Sequence, residues 1–291
     1  MKVIKYFLQA IIIYTFFIII KIIGLKNSRL LFSWVLNKLG PLVRKKDIIN
    51  SNLKKMDPNL NDLDRKKIYN DMWSNYGKTF VEYLYLNKFR NKKFDTPQIN
   101  IVGENILEDL IKNKKPAIFV SGHFANFELM SMELTRKNIK LATIYRPLNN
   151  FFLNPIMEYL RKKYVCKNQI KKGSIGMRNV INYIKNNYSI ALMIDQRVSE
   201  GEKVPFFNYD ALTTTLPAQI ALKYKYDIIP IYIRRNSKNL FEIEIYNSIT
   251  IKDKEDNKKN KIEITKDLNK ILEGMILKDP GQWIWTHNRW K

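Results

Sequence analysis

From Tyr6 to Ile20 the chain reads YFLQAIIIYTFFIII, a run without a single charge, and no other stretch restricts the possible folds so strongly. As a helix, these 15 residues rise roughly 22 Å, short of the roughly 30 Å hydrocarbon core of a bilayer. If Lys21 snorkels and the run continues through Ile22, Ile23, Gly24 and Leu25, the apolar length reaches about 30 Å, enough for one tilted helix or a deep anchor. Ile, Phe and Tyr occupy every side of this helix, leaving none of the polar stripe that a helix on a soluble core shows. Lys2 and Lys5 ahead of the run resemble the start of a secretory signal, yet no small-x-small cleavage site follows and Lys26 to Arg29 stay basic. An uncleaved anchor over residues 1–28 is expected. The second end carries the heavier basic flank, Lys38, Arg44, Lys45 and Lys46. If the helix spans, that flank places the body on the cytoplasmic side.

Charge points to the same kind of surroundings. The chain holds 51 Lys and Arg against 27 Asp and Glu, a net +24 over 291 residues, so acidic partners are expected: nucleic acid, an anionic membrane or an acidic carrier protein. Nucleic acid is disfavoured, because the basic residues are dispersed, no nucleic-acid-binding signature is present and an apolar anchor has no role there. The single cysteine, Cys166, excludes a disulfide scaffold and a thiolate cluster, and only two histidines, His123 and His287, exclude a metal site built on three imidazoles.

Beyond the anchor, residues 29–95 read as a helical lead-in. Leu31 to Leu39 has helical periodicity, as does the stretch from about Asp62 to Leu86, where Ile68, Met72, Tyr76, Phe80, Tyr83 and Leu84 recur at steps of three and four. A basic, Pro-containing break at Arg90 to Pro97 opens a second part, residues 96–291. There short apolar runs at 99–102, 117–121, 141–145, 190–194 and 228–233 alternate with helical stretches near Glu104, Glu128, Pro155, Ile175 and Thr214, an α/β sheet pattern. A last strand at 241–246, a mixed-charge solvated loop at 252–261 and a helix over about 262–277 complete it.

Ligands bind at the carboxyl ends of parallel strands, so the residues just after each run are where chemistry is sought. After the run ending at Ser121 comes Gly122-His123-Phe124-Ala125-Asn126-Phe127-Glu128. On one continuous helix His123 and Glu128 would face about 140° apart, at about 100° per residue. They meet only if His123 lies in the turn and Glu128 on the helix that follows. The carboxylate would then fix the imidazole tautomer and raise the basicity of the other ring nitrogen toward a substrate hydroxyl; by spacing alone, a structural histidine serves equally. Cys166 has neither His123 nor an acid close in sequence and reads as packing.

The block from Ser121 to Glu128 resembles the His-x4-acid motif of the glycerolipid and lysophospholipid acyltransferase superfamily, in the form seen in bacterial lipid A late acyltransferases. Tyr145-Arg146-Pro147, with Asn149 and Asn150, is similar to that family's Tyr-Arg-Pro block with a nearby Asn, and Arg161 falls where its helix carries another arginine. Ile194-Asp195-Gln196 is similar to its Asp-Gln strand end, Val204 to Phe207 with Ala211 and Thr213 to the loop after it, and Trp283 to Trp290 to its aromatic, basic C-terminus. The likeness, anchor included, runs over nearly the whole chain. Asn208 departs from it, standing where the family usually has Gly, as does Tyr164, near a usual Gly.

The resemblance implies a mixed α/β sheet flanked by helices. It also implies secondary acylation of a lipid A precursor at the cytoplasmic face of the inner membrane, among its phospholipids. The donor would be an acyl carrier protein thioester, or a coenzyme A thioester, as co-substrate, with no other cofactor and no metal. His123 would deprotonate the acceptor hydroxyl and Glu128 would stabilise the imidazolium, while turn amides or an arginine serve the oxyanion. Arg146, whose planar fork suits headgroup phosphates, makes up the expected substrate-binding set with Asn149, Arg161, Asp195 and Gln196. Asp195 would orient Arg146 or Arg161 in that set, or else cap a helix. Lys171 and Lys172 read as solvated surface, Thr213 to Thr215 as capping residues, and His287 as packing among tryptophans that would pack or form an interfacial belt. Acylation of another glycolipid or a lysophospholipid is the alternative. A tethered hydrolase is disfavoured, because no Gly-x-Ser-x-Gly elbow is present.

Overall fold

The computed structural model describes residues 2–44, 46–249 and 257–291. Helix α1 (Lys2–Val43) leaves helical geometry at Gly24, whose φ of 80° is a conformation that side chains resist, and so divides into two arms. The first arm turns a stripe at steps of four and three toward the body: Tyr6, Ala10, Ile13, Phe17 and Ile20 are buried or half-buried. Its opposite face is apolar too, with Ile4, Leu8, Ile11, Ile18 and Ile22 exposed. The Lys21 ammonium, expected to snorkel, donates to the Leu84 carbonyl at 2.6 Å. α1 is the one helix among the described residues long and apolar enough to cross a membrane.

Helix α2 (Lys46–Met56) leads into α3 (Asp62–Tyr83), which the Asn61 side chain caps by accepting from the Asp64 amide. The second arm of α1 runs antiparallel along α3. Arg29 Nε donates to Glu82 Oε1 at 2.8 Å, and Ser33 and Ser74 hydroxyls lie 2.6 Å apart. Between them the helices approach so closely that a Cβ on Gly77 would overlap the Phe32 carbonyl.

After α4 (Leu86–Arg90) the chain enters the sheet: β1 (Ile99–Val102), α5 (Glu104–Lys112), β2 (Ala117–Ser121), α6 (Glu128–Arg136), β3 (Leu141–Tyr145), α7 (Asn154–Leu160), β4 (Asn168–Lys171), α8 (Ser174–Lys185) and β5 (Ser189–Met193). A hairpin, β6 (Glu202–Phe206) and β7 (Tyr209–Thr213), stands apart from it; α9 (Leu216–Tyr224), β8 (Asp227–Arg235), β9 (Phe241–Ile245) and α10 (Asn257–Lys278) follow. The seven strands lie in the order β1-β9-β8-β2-β5-β3-β4. β8, β2, β5, β3 and β4 are mutually parallel, whereas β9 is antiparallel to β8 and β1 follows β9. Every residue of β2 is buried, the continuous apolar pattern of a parallel strand covered on both faces.

The sheet is therefore mixed and helix-flanked, as expected, and its apolar strands stand close to their expected bounds. β4, the hairpin and α2 went unread, and the long helix expected to reach Leu86 breaks after Tyr83. The C-terminal helix starts earlier than expected, at Asn257, and the first part of the charged loop lies outside the described residues. Asn208 and the preceding Phe207 take φ of 61° and 49°, so asparagine fills the left-handed turn position for which a glycine would otherwise serve.

Candidate active site

Parallel strands β2, β5 and β3 are neighbours, so their carboxyl ends open on the same edge of the sheet. Two residues past β2 is His123, two past β5 is Asp195, and one past β3 is Arg146. The first two meet directly. His123 Nδ1 lies 2.8 Å from Asp195 Oδ1, the His123 amide donates to Asp195 Oδ2 at 2.7 Å, and the Trp283 indole donates to the same oxygen at 2.9 Å. Burial would push the Asp195 carboxyl up, but the imidazole, the His123 amide and the indole outweigh it and hold the carboxyl below its ordinary range. A carboxylate only accepts, so Nδ1 carries the proton that donates to it. Nε2 then keeps a lone pair, with no hydrogen-bond partner among the described residues, on a side chain that remains 22% exposed. The edge of Phe127 packs on the ring at 4.7 Å between centroids and fixes its plane.

The turn that presents this imidazole is held from two sides. Ala125 has φ of 41°, rare for a residue with a Cβ. Its amide donates to the Gln282 carbonyl at 3.1 Å, and its carbonyl accepts from Thr79 Oγ1 at 3.0 Å. The Phe124 amide donates to the Gly122 carbonyl at 2.9 Å. The amides of His123, Phe124 and Ala125 are thus all committed within the fold.

Glu128 does open α6, and His123 does lie in the turn before it, yet the two do not pair. Glu128 points instead to Arg161, whose Nε donates at 2.7 Å, and to the Tyr83 hydroxyl, which also accepts from Arg161 Nη2 at 3.0 Å. The helix start turns the carboxylate toward the short π-helical turn 161–165, and Asp195 takes the place at the imidazole for which Glu128 was expected. Burial and the neighbouring Glu128 carboxylate push the Tyr83 phenol far up; for Arg161, burial works against the charge but Glu128 more than restores it. The guanidinium also lies over the Tyr83 and Tyr145 rings, at 5.9 and 5.7 Å.

Asp195 is likewise not a partner of Arg146 or Arg161, as its contacts above account for both oxygens. Arg146 and Asn149 are exposed beyond β3, and Gln196 is half-buried beside Asp195. Trp283 and Trp285 are wholly buried and form no interfacial belt. His287 is half-buried; its Nε2 accepts from the Arg197 amide at 2.9 Å, and burial lowers its pKa to about 4. Thr213 accepts from Arg289 at 2.6 Å rather than capping a helix. Burial pushes the Cys166 thiol up, in keeping with packing.

Three residues of the site carried no readable signal. Trp283 was seen only as part of an aromatic tail, Tyr83 only as one position of a helical stripe, and Glu82 not at all. Glu82 is fully buried, between Arg29 at 2.8 Å and Arg235 at 2.7 Å, and accepts from Asn126 in the His123 turn at 3.2 Å.

Among curated proteins, none matches the chain. A family model described as bacterial lipid A biosynthesis acyltransferase matches residues 1–291. The chain belongs to that family, and is an O-acyltransferase enzyme whose substrate is a lipid A precursor.

Proposed function

We propose, taking that membership as the premise, that the protein moves a fatty acyl chain from an acyl carrier protein thioester to a hydroxyl of a lipid A precursor. This is a secondary acylation at the cytoplasmic face of the inner membrane. The observation that carries the mechanism is the hydrogen-bonded pair of His123 and Asp195. Nε2 takes the proton of the acceptor hydroxyl as its oxygen attacks the thioester carbonyl; the tetrahedral oxyanion then collapses, the C–S bond breaks, and the thiolate leaves with the proton from the imidazolium. Asp195 holds the tautomer and balances the charge on the ring while the proton is there.

Glu128 acts one step away, holding Arg161 in place. Arg161 spends Nε and Nη2 on Glu128 and Tyr83, which leaves Nη1 for the oxyanion. Arg146 and Asn149 bind the headgroup, and Gln196 lines the same strand end. The thioester is already activated, so the reaction calls for neither cofactor nor metal. The net charge of +24 supports an acidic carrier protein as donor, and the apolar first arm of α1 supports residence among membrane phospholipids.

The test uses the full chain in detergent, acyl carrier protein thioesters and a Kdo-bearing tetra-acylated lipid A precursor, read by mass spectrometry. One added acyl chain is expected, with His123→Ala slower by at least about 100-fold. Transfer only to a glycolipid or lysophospholipid would overturn the acceptor and keep the base. Near wild-type turnover in His123→Ala would overturn the base itself.

A further inference from the structure

The first arm of α1 does not stand away from the body. Tyr6 meets Phe151 edge-on at 6.0 Å, Phe7 meets Phe152 at 5.5 Å, and the Tyr14 hydroxyl donates to the Phe152 carbonyl at 2.9 Å. Asn150 Nδ2 donates to the Tyr6 carbonyl at 2.9 Å, while at the other end Phe17 meets Phe80 at 5.6 Å and Lys21 meets Leu84. Contacts from Tyr6 to Lys21 cover roughly 22 Å of helix, more than one leaflet of a hydrocarbon core that is roughly 30 Å thick in all. Wherever this arm is immersed, the loop seated along it goes in as well.

The loop that follows Arg146 is built for that position. Leu148 and Phe151 are 40% and 51% exposed, and Phe151 joins this apolar tip to the arm through Tyr6, while the arm's own outer residues Ile4, Phe7, Leu8 and Ile11 are exposed and apolar as well. At the base of the loop the sign of the surface changes. Arg146 is exposed and makes no ion pair among the described residues. The Lys172 amide is bonded to the Tyr145 carbonyl at 2.9 Å, which brings that exposed lysine to the same strand end. An apolar tip with a cationic base matches the boundary between acyl chains and anionic phosphates. Loop tips in solution are ordinarily polar.

We infer that the 147–152 loop is a second membrane-inserting element, with Leu148 and Phe151 in the acyl region of an anionic bilayer and Arg146 at its phosphates. The occupant of this surface is the lipid bilayer, and the inference rests on the membrane reading given above. The catalytic edge of the sheet is thereby set at headgroup depth, so a lipid acceptor reaches His123 without leaving the membrane.

The single cysteine makes this measurable. In a Cys166→Ser background, an environment-sensitive fluorophore is attached in turn to Leu148→Cys, Phe151→Cys, Ile11→Cys and Glu200→Cys. The full chain is reconstituted in vesicles of phosphatidylethanolamine and phosphatidylglycerol. Each variant is first checked for an unchanged circular dichroism spectrum, and Leu148, which forms no ring contact with the arm, covers the case in which Phe151→Cys disturbs packing. Labels at 148, 151 and 11 are expected to emit blue-shifted light, to be quenched by nitroxide-bearing lipid and to be shielded from iodide, with position 200 showing the reverse. Labels at 148 and 151 in water with position 11 in lipid would overturn the loop inference alone. All of them in water would overturn the membrane reading with it.

Discussion

Asp195 is the residue on which the direction of the imidazole depends. Its two oxygens receive three donors, the His123 amide, the His123 ring and the Trp283 indole, and an asparagine amide would turn an N–H toward at least one of them. Asp195→Asn is therefore expected to lower kcat by about 100-fold or more with little change in KM. A wild-type kcat would refute the assignment. Glu128 and Arg161 make a different prediction, because they share one network with Tyr83. Each of Glu128→Gln and Arg161→Lys is expected to reduce turnover, and the double variant to be no slower than the worse single one, since one network is broken once; additive losses in a double-mutant cycle would separate the two residues. His123 was legible because histidine is scarce in this chain and this one follows an apolar strand. Its partner was not, since Asp195 is 72 residues away and only the adjacency of β2 and β5 brings them together. The acid close in sequence drew attention precisely where the helix start directs it elsewhere.

Helix α3 is the element through which the anchor and the active-site turn are tied. Its Ser74, Gly77 and Glu82 face the second arm of α1, its Thr79 holds the Ala125 carbonyl, and its Tyr83 holds Glu128. Glu82 is the critical point, because among the described residues it alone forms ion pairs with two arginines that are both buried. Glu82→Ala leaves those charges unpaired in the interior, and a loss of about 3–5 kcal/mol is expected, the usual cost of removing one partner from a buried ion pair. Thermal unfolding in detergent checks this, and an unchanged Tm would show that the arginines find other partners. The elements that sequence made legible are those with strong periodicity, the buried strands and the long helices. β4 is an edge strand with Ile170 as its one buried residue, so neither alternation nor an apolar run marks it. The hairpin opens on Glu202 and Lys203 and turns without glycine, and α2 buries only Ile49, Asn52 and Leu53 out of a polar segment. In each case tertiary contacts, not local preference, decide the structure.

At the scale of the whole molecule, burial takes both signs out of solvent in near balance and leaves the positive excess on the surface. Glu82, Glu128, Glu133 and Asp195 are buried, most of them against cations of the same core, while Arg146, Lys162, Lys163 and Lys172 are exposed around the ends of β3 and β4. A field of this kind accelerates the approach of an acidic protein and reaches only as far as salt allows. If the donor is an acidic carrier protein, kcat/KM for its thioester, measured at saturating acceptor, should fall steeply as ionic strength rises from about 0.1 M to about 1 M, over which the Debye length shrinks from about 10 Å to about 3 Å. The same acyl group on uncharged pantetheine has no charge to steer and should change little over that range. Both donors share the thioester and the acyl chain, so the difference between their slopes isolates the carrier protein. Equal slopes would place the salt sensitivity in the lipid acceptor or the enzyme itself, and would remove the reason for the positive surface that the carrier supplies.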